Sequence, residues 1–89
     1  MSETKYTLID VREPEEFDLG HLDGAINVPS ESLMSGVPEL KDVPKDTPLL
    51  LYCRTGSRSA IALNILKSLG FTNVINGINQ QIAKQRFNL

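Results

Sequence analysis

"PLLLYCRTGSRSAIALNILKSLG", residues 48–70, joins an apolar run to a basic loop and then to a helical pattern. The run "PLLLYC" has no apolar–polar alternation, which predicts a strand buried on both faces, as in the middle of a parallel sheet. Beyond the loop, Ile61, Ala62, Ile65, Leu66 and Leu69 recur at helical spacing, and Gly70 supplies a C-terminal stop. A strand that passes through a short loop straight into a helix is the repeating unit of an α/β fold.

The flanking sequence fits the same unit. "KYTLIDV" reads as a strand of about five residues ending near Asp10, because β-branched and aromatic residues favour the pleated backbone. Pro14 and the acids Glu13, Glu15 and Glu16 suit the first turn of a short helix over "EPEEFDLG", stopped by Gly20. "AINVP", residues 25–29, reads as a second strand, and "SESLMSGVPEL" as a serine cap with one or two helical turns broken by prolines. "FTNVIN" reads as a fourth strand, Gly77 as a turn, and "NQQIAKQRF" as a last helix capped by Asn79. Strand and helix alternate throughout. The expectation is a three-layer α/β/α domain around a mainly parallel sheet of four to five strands, spanning residues 1–89, with 1–4 a flexible arm.

Composition narrows the function. Eighty-nine residues, 40% of them hydrophobic, suit one small core. A single cysteine forms no internal disulfide, so a reducing, cytoplasmic setting is expected. No signal-peptide pattern opens the chain, and no run approaches the roughly 20 apolar residues that span a bilayer. All 11 acidic residues fall within positions 1–46, leaving the region around Cys53 with basic neighbours only. No lysine-rich run points to nucleic acid, and no Cys or His cluster has metal-ligand spacing, so neither a metal nor a cofactor is expected.

Cys53 sits where open parallel sheets bind ligands, beyond the carboxyl end of a strand. Gly56 frees the backbone of the loop, and the N-terminus of the following helix turns several N–H groups toward one spot. Such donors stabilise a thiolate and lower a pKa that is about 8.5 when unperturbed. Arg54 and Arg58 add positive charge that favours the thiolate and attracts an anion. The alternative for Cys53 is a small buried core residue, a common environment for free thiols.

These residues carry a family resemblance. "CRTGSRS" resembles the active-site loop of the single-domain rhodaneses, which are sulfurtransferases, and "LIDVREPEEFDLGHLDGAINVP", residues 8–29, resembles their N-terminal signature. In that signature an Asp-x-Arg follows a strand, and Phe17, His21, Leu22, Gly24, Ala25, Asn27, Val28 and Pro29 fall on the pattern after it. The resemblance is to the short, phage-shock type. It implies that Cys53 takes a sulfane sulfur from thiosulfate or a persulfide and passes it to cyanide, a thiol or a protein. It also implies that Arg54, Thr55, Gly56, Ser57, Arg58 and Ser59 cradle the sulfur and bind the anionic donor. Asp10 and Arg12 are expected to form a buried pair bracing this loop, and a monomer or weak homodimer is expected. The family tends to place Gly-Gly and a Trp after its last strand, where this chain reads "NGINQQIAKQ".

Other readings remain at this level. A persulfide carrier or binding module serving a partner protein would use the same cysteine. A small Cys-dependent phosphatase or arsenate reductase is disfavoured, because that chemistry wants five residues between Cys and Arg, and four separate Cys53 from Arg58. His21 is expected to hold the turn "GHLDGA" together rather than to move protons. Glu13, Glu15, Glu16 and Asp18 are expected to form a solvated surface, and Tyr52, alternating away from Cys53, to lie in the core.

Overall fold

Four parallel strands in the order β2-β1-β3-β4 form the sheet of the computed structural model, which describes residues 5–89. They are β1 (Thr7–Asp10), β2 (Ile26–Asn27), β3 (Leu49–Cys53) and β4 (Val74–Asn79). The helices are α1 (Pro14–Asp18), α2 (Ser30–Met34), α3 (Ser57–Ser68) and α4 (Gln80–Phe87), with a 3₁₀ turn at Pro38–Leu40. The predicted arm at residues 1–4 lies outside the described residues.

The all-apolar β3 run is explained by its place. β3 pairs with β1 on one side and β4 on the other, and all five of its residues are buried. Leu49, Leu51 and Cys53 face a core with Ala62 and Leu66 of α3, whereas Leu50 and Tyr52 face a second core with Ala83 of α4. Helices therefore cover both faces, giving the three layers. The Tyr52 hydroxyl accepts a hydrogen bond from the Leu22 N–H at 3.0 Å, and burial holds its phenol well above the usual range.

Several elements differ from the sequence reading. Ile61 and Leu69 share the helical spacing of Ala62 and Leu66 but stay exposed, since one short helix on a small sheet buries only a narrow stripe. The second strand shrinks to two residues, Ile26–Asn27. Ser30 does not cap α2: the N-cap position is Pro29, and the Ser30 hydroxyl donates to Glu13 Oε2 at 3.0 Å.

Gly77 is not a turn. β4 continues through it, and glycine is needed there because a Cβ would lie 3.0 Å from the Leu51 carbonyl oxygen of β3 and 3.2 Å from Ala83 Cβ of α4. The backbone departs from regularity one residue later. Ile78 has φ +74°, and the β3–β4 register shifts between Leu51 and Cys53. Asn79 caps α4 as expected, its side chain accepting from the Ile82 N–H at 2.8 Å.

Candidate active site

β3 ends at Cys53 and α3 starts at Ser57, so Arg54, Thr55 and Gly56 make the whole connection. Gly56 has φ +93°, and a Cβ on it would sit 3.2 Å from Ile78 Cγ2. Backbone angle and space both require glycine. The tight turn aims the Gly56 N–H at Cys53 Sγ, 3.1 Å away, and Ser59 Oγ stands 3.5 Å from the same sulfur. Although Cys53 is only 2% exposed, it opens onto a shallow cleft of about 260 Å³ walled by Arg12, Arg54, Asn79, Gln80 and Gln81.

The sulfur is held as an acid near neutrality. Burial pushes the Cys53 thiol up, but hydrogen bonds from the Ser59 hydroxyl and from the amides of Ser59, Gly56 and Thr55 together outweigh it and bring the pKa to about 7. A substantial thiolate fraction is therefore present at physiological pH.

The arginines around the loop do different things. Arg54 projects outward with a 72% exposed side chain, its Nη1 3.9 Å from Glu16 Oε2. Arg58 turns away from the sulfur and donates from both terminal nitrogens to Glu16, at 2.7 and 3.1 Å. That bidentate grip, helped by the Glu13 N–H, holds the Glu16 carboxyl at about 2, far below its usual value. Arg12 folds back on Asp10 through contacts of 2.7–3.2 Å and donates to the Gly20 carbonyl at 2.6 Å. Its hydrogen bonds to Asp10 raise the guanidinium pKa further.

A model of the "Rhodanese-like domain" family matches residues 1–79. The chain belongs to the rhodanese-like family. It is 44% identical over 72 residues to MoeZ of Mycobacterium tuberculosis, described as a probable adenylyltransferase/sulfurtransferase, a match that takes in 81% of this chain and 18% of MoeZ. It is 39% identical over 72 residues to the thiosulfate sulfurtransferase PspE of Escherichia coli, covering 76% of this chain and 64% of PspE. Among solved structures, an Escherichia coli rhodanese with anions superposes with a TM-score of 0.77 at 32% identity, over 88% of this chain and 91% of that one. The chain thus spans less than a fifth of MoeZ and just under two thirds of PspE.

In this rhodanese-like domain the residues singled out from sequence do not all converge on the sulfur. Cys53, Gly56 and Ser59 meet directly. Thr55 adds its amide, while its hydroxyl and that of Ser57 meet each other at 3.1 Å. Glu16 is no idle surface charge, contrary to expectation: folding carries α1 to the start of α3, where the carboxylate occupies Arg58. The Asp10–Arg12 pair is buried, and its described hydrogen bonds reach the Gly20 turn rather than the 53–59 loop. Arg12 reaches the site only as a wall of the cleft.

His21 keeps its distance from the sulfur. Its Nδ1 lies 2.9 Å from the Phe17 carbonyl oxygen and its ring stacks on Phe17, so it fastens the following turn to α1. With Leu22 and Lys84 it lines a separate hollow of about 430 Å³, larger than the cleft and lacking the cysteine. Among the described residues no group of three or more His, Cys, Asp or Glu is placed to hold a metal ion.

Two residues of β4 that the sequence reading passed over complete the site. Asn76 Oδ1 accepts from the Ser59 hydroxyl at 2.6 Å and from the Ile78 N–H at 2.9 Å, while Asn76 Nδ2 donates to the Gly56 carbonyl at 3.1 Å. Ile78 in turn packs over Gly56. The available signal was an asparagine, a poor strand former, in the interior of the strand that pairs with the one carrying Cys53.

Proposed function

We propose that this chain is a sulfurtransferase that moves a sulfane sulfur through a persulfide on Cys53. The observation that carries the reading is the 3.1 Å hydrogen bond from the Gly56 N–H to the sulfur at the floor of an open cleft walled by Arg12 and Arg54. A thiolate so held is a nucleophile with an anion-attracting approach. It attacks the outer sulfur of thiosulfate or another persulfide donor. A Cys53–sulfur bond forms as the donor's S–S bond breaks, and that bond's electron pair leaves with sulfite or a thiolate.

The terminal sulfur of the persulfide is then anionic, and the loop amides supply the donors that such a charge needs. Cyanide, a thiolate or a protein acceptor attacks that sulfur, and Cys53 leaves as the thiolate the loop already stabilises. A cytoplasmic setting belongs to the same reading. It is supported by the lone cysteine, and no helix among the described residues is long and apolar enough to cross a membrane.

Mass spectrometry after incubation with thiosulfate tests the reading. The protein is expected to gain the mass of one sulfur atom, lost on adding cyanide and absent from Cys53→Ser. An unmodified wild-type protein would sink it.

A second reading, a persulfide carrier feeding a partner protein, is favoured by the MoeZ match, where a similar stretch forms a small part of a longer chain. Multiple turnover from thiosulfate to cyanide supports the free-standing enzyme. A persulfide that forms but discharges only to a protein acceptor supports the carrier.

A further inference from the structure

The Ser59 hydroxyl has one proton and three acceptors around it: Asn76 Oδ1 at 2.6 Å, the Gly56 carbonyl at 3.2 Å and the Cys53 sulfur at 3.5 Å. Ser59 is fully buried, so bulk water does not supply a substitute donor or acceptor. The shortest of the three contacts commits the proton to Asn76, which turns a hydroxyl lone pair toward the sulfur. That orientation suits a neutral thiol, whose S–H donates to Ser59 Oγ. It does not suit a thiolate, which needs the proton on the Ser59 side.

We propose that Asn76 is a positioning residue for Cys53: its carbonyl and the sulfur compete for the Ser59 proton, so the hydroxyl faces Asn76 beside a thiol and swings to the sulfur beside a thiolate. The consequence for turnover rests on the reading of Cys53 as the sulfur-carrying nucleophile, whereas the competition itself does not. Asn76 is equipped for the exchange. When the Ser59 proton swings away, Oδ1 keeps the Ile78 N–H at 2.9 Å and is not left unpaired. Nδ2 meanwhile holds the Gly56 carbonyl in either state, so the hydroxyl can turn while the loop stays in place.

No charge from the β4 side competes with this device. Arg54 of the loop and Arg12 beyond the end of β1 wall the cleft, and Arg58 of α3 acts on the sulfur through its charge alone while paired with Glu16 of α1. β4 and the start of α4 contribute only the neutral amides of Asn76, Asn79, Gln80 and Gln81. The proton preference of Ser59 is thus set from that side by a hydrogen-bond acceptor and not by an ion.

The test reads the thiol itself, through the pH dependence of iodoacetamide alkylation of the full chain, and needs no sulfur donor. Asn76→Asp keeps an acceptor at the same place and makes it stronger. The alkylation midpoint is expected to rise by a unit or more in an otherwise unaltered chain, and by less than half as much when Ser59→Ala removes the shared proton. An unmoved midpoint, or equal shifts with and without the Ser59 hydroxyl, overturns the proposal.

A second measurement needs no substitution at Asn76. Its side-chain NH₂ resonance senses what the conjugated carbonyl accepts, and it is expected to titrate with the alkylation midpoint and to lose most of that response in Ser59→Ala. A resonance indifferent to Cys53 ionisation, or one that responds equally in both proteins, also overturns it. Because both readouts work on the resting protein, a chain that takes up no sulfur would refute the proposed function and leave this inference standing or falling on its own data.

Discussion

Arg58 grips Glu16 with both terminal nitrogens, at 2.7 and 3.1 Å, across 42 positions of the chain. The pair clamps α1 against the start of α3, beside the loop that carries Cys53. Its geometry has two separable consequences, one for donor binding and one for acid stability. Glu16→Gln releases a guanidinium next to the cleft and deletes a negative charge, so the KM for thiosulfate is expected to fall about fivefold, from roughly 1 kcal/mol of relieved repulsion. Steady-state kinetics at low ionic strength measure it, and an unchanged or raised KM contradicts the role.

The same carboxylate makes the fold acid-sensitive in a defined window. Glu16 titrates at about 2 in the folded chain against an ordinary 4.5, so between those values the unfolded state binds the extra proton. Its stabilising contribution is fully present above about pH 4.5 and is lost as the pH falls toward 2. Thermal unfolding of wild type and Glu16→Gln is therefore expected to differ at pH 6 and to converge near pH 2. A gap that persists at the acid end would place the stabilisation elsewhere.

The two loop arginines, equivalent in the sequence, are expected to behave differently. Arg54 lies exposed on the cleft wall with only a 3.9 Å contact to Glu16, so Arg54→Ala raises the thiosulfate KM about two- to fivefold with an unchanged melting temperature. Arg58→Ala strands Glu16 and lowers the melting temperature instead. Kinetics and melting run on both variants decide the matter, and a KM that responds only to Arg58 reverses the assignment.

How much of this was legible depends on the range of the interaction. β3, the Cys53 loop and α3 form one local unit whose residues declare themselves in order, and the expected parallel α/β/α arrangement follows from it. Asp10 and Arg12 were legible as a pair at the end of the first strand, although the turn at Gly20 that the pair holds was not. Glu16 and Asn76 were not legible, because each earns its place from a partner brought in by the fold, at Arg58 and at Ser59. Gly77 misled for a related reason: a glycine required by the close approach of β3 and α4 looks, in one dimension, like a glycine required by a turn.

Arg12 and Asp10 give a stability prediction. Asp10 is fully buried and takes its charged hydrogen bonds from Arg12. Arg12→Ala leaves that carboxylate buried without its counter-ion, which costs about 3–5 kcal/mol. Urea unfolding is expected to show a midpoint shift of that size at constant slope. Asp10→Asn together with Arg12→Met removes both charges, and is expected to recover much of the loss.

Gly56 and Gly77 provide a matched pair in which the same substitution has different chemical reach. Gly56→Ala forces an alanine to φ +93° and sets its Cβ 3.2 Å from Ile78 Cγ2, costing about 1–2 kcal/mol of backbone strain unless the loop moves. Gly77→Ala crowds Leu50 and the Leu51 carbonyl at 3.0 Å and destabilises by about 1–3 kcal/mol through overpacking. Only the first touches the hydrogen bond from the Gly56 N–H to the sulfur. The alkylation midpoint of Cys53 is therefore expected to climb from about 7 toward the ordinary thiol value in Gly56→Ala and to stay in place in Gly77→Ala, while both proteins melt earlier. If Gly56→Ala melts earlier yet keeps an unshifted midpoint, the 3.1 Å contact is not what acidifies the thiol, and the cradle must be assigned to Ser59 and the Thr55 amide.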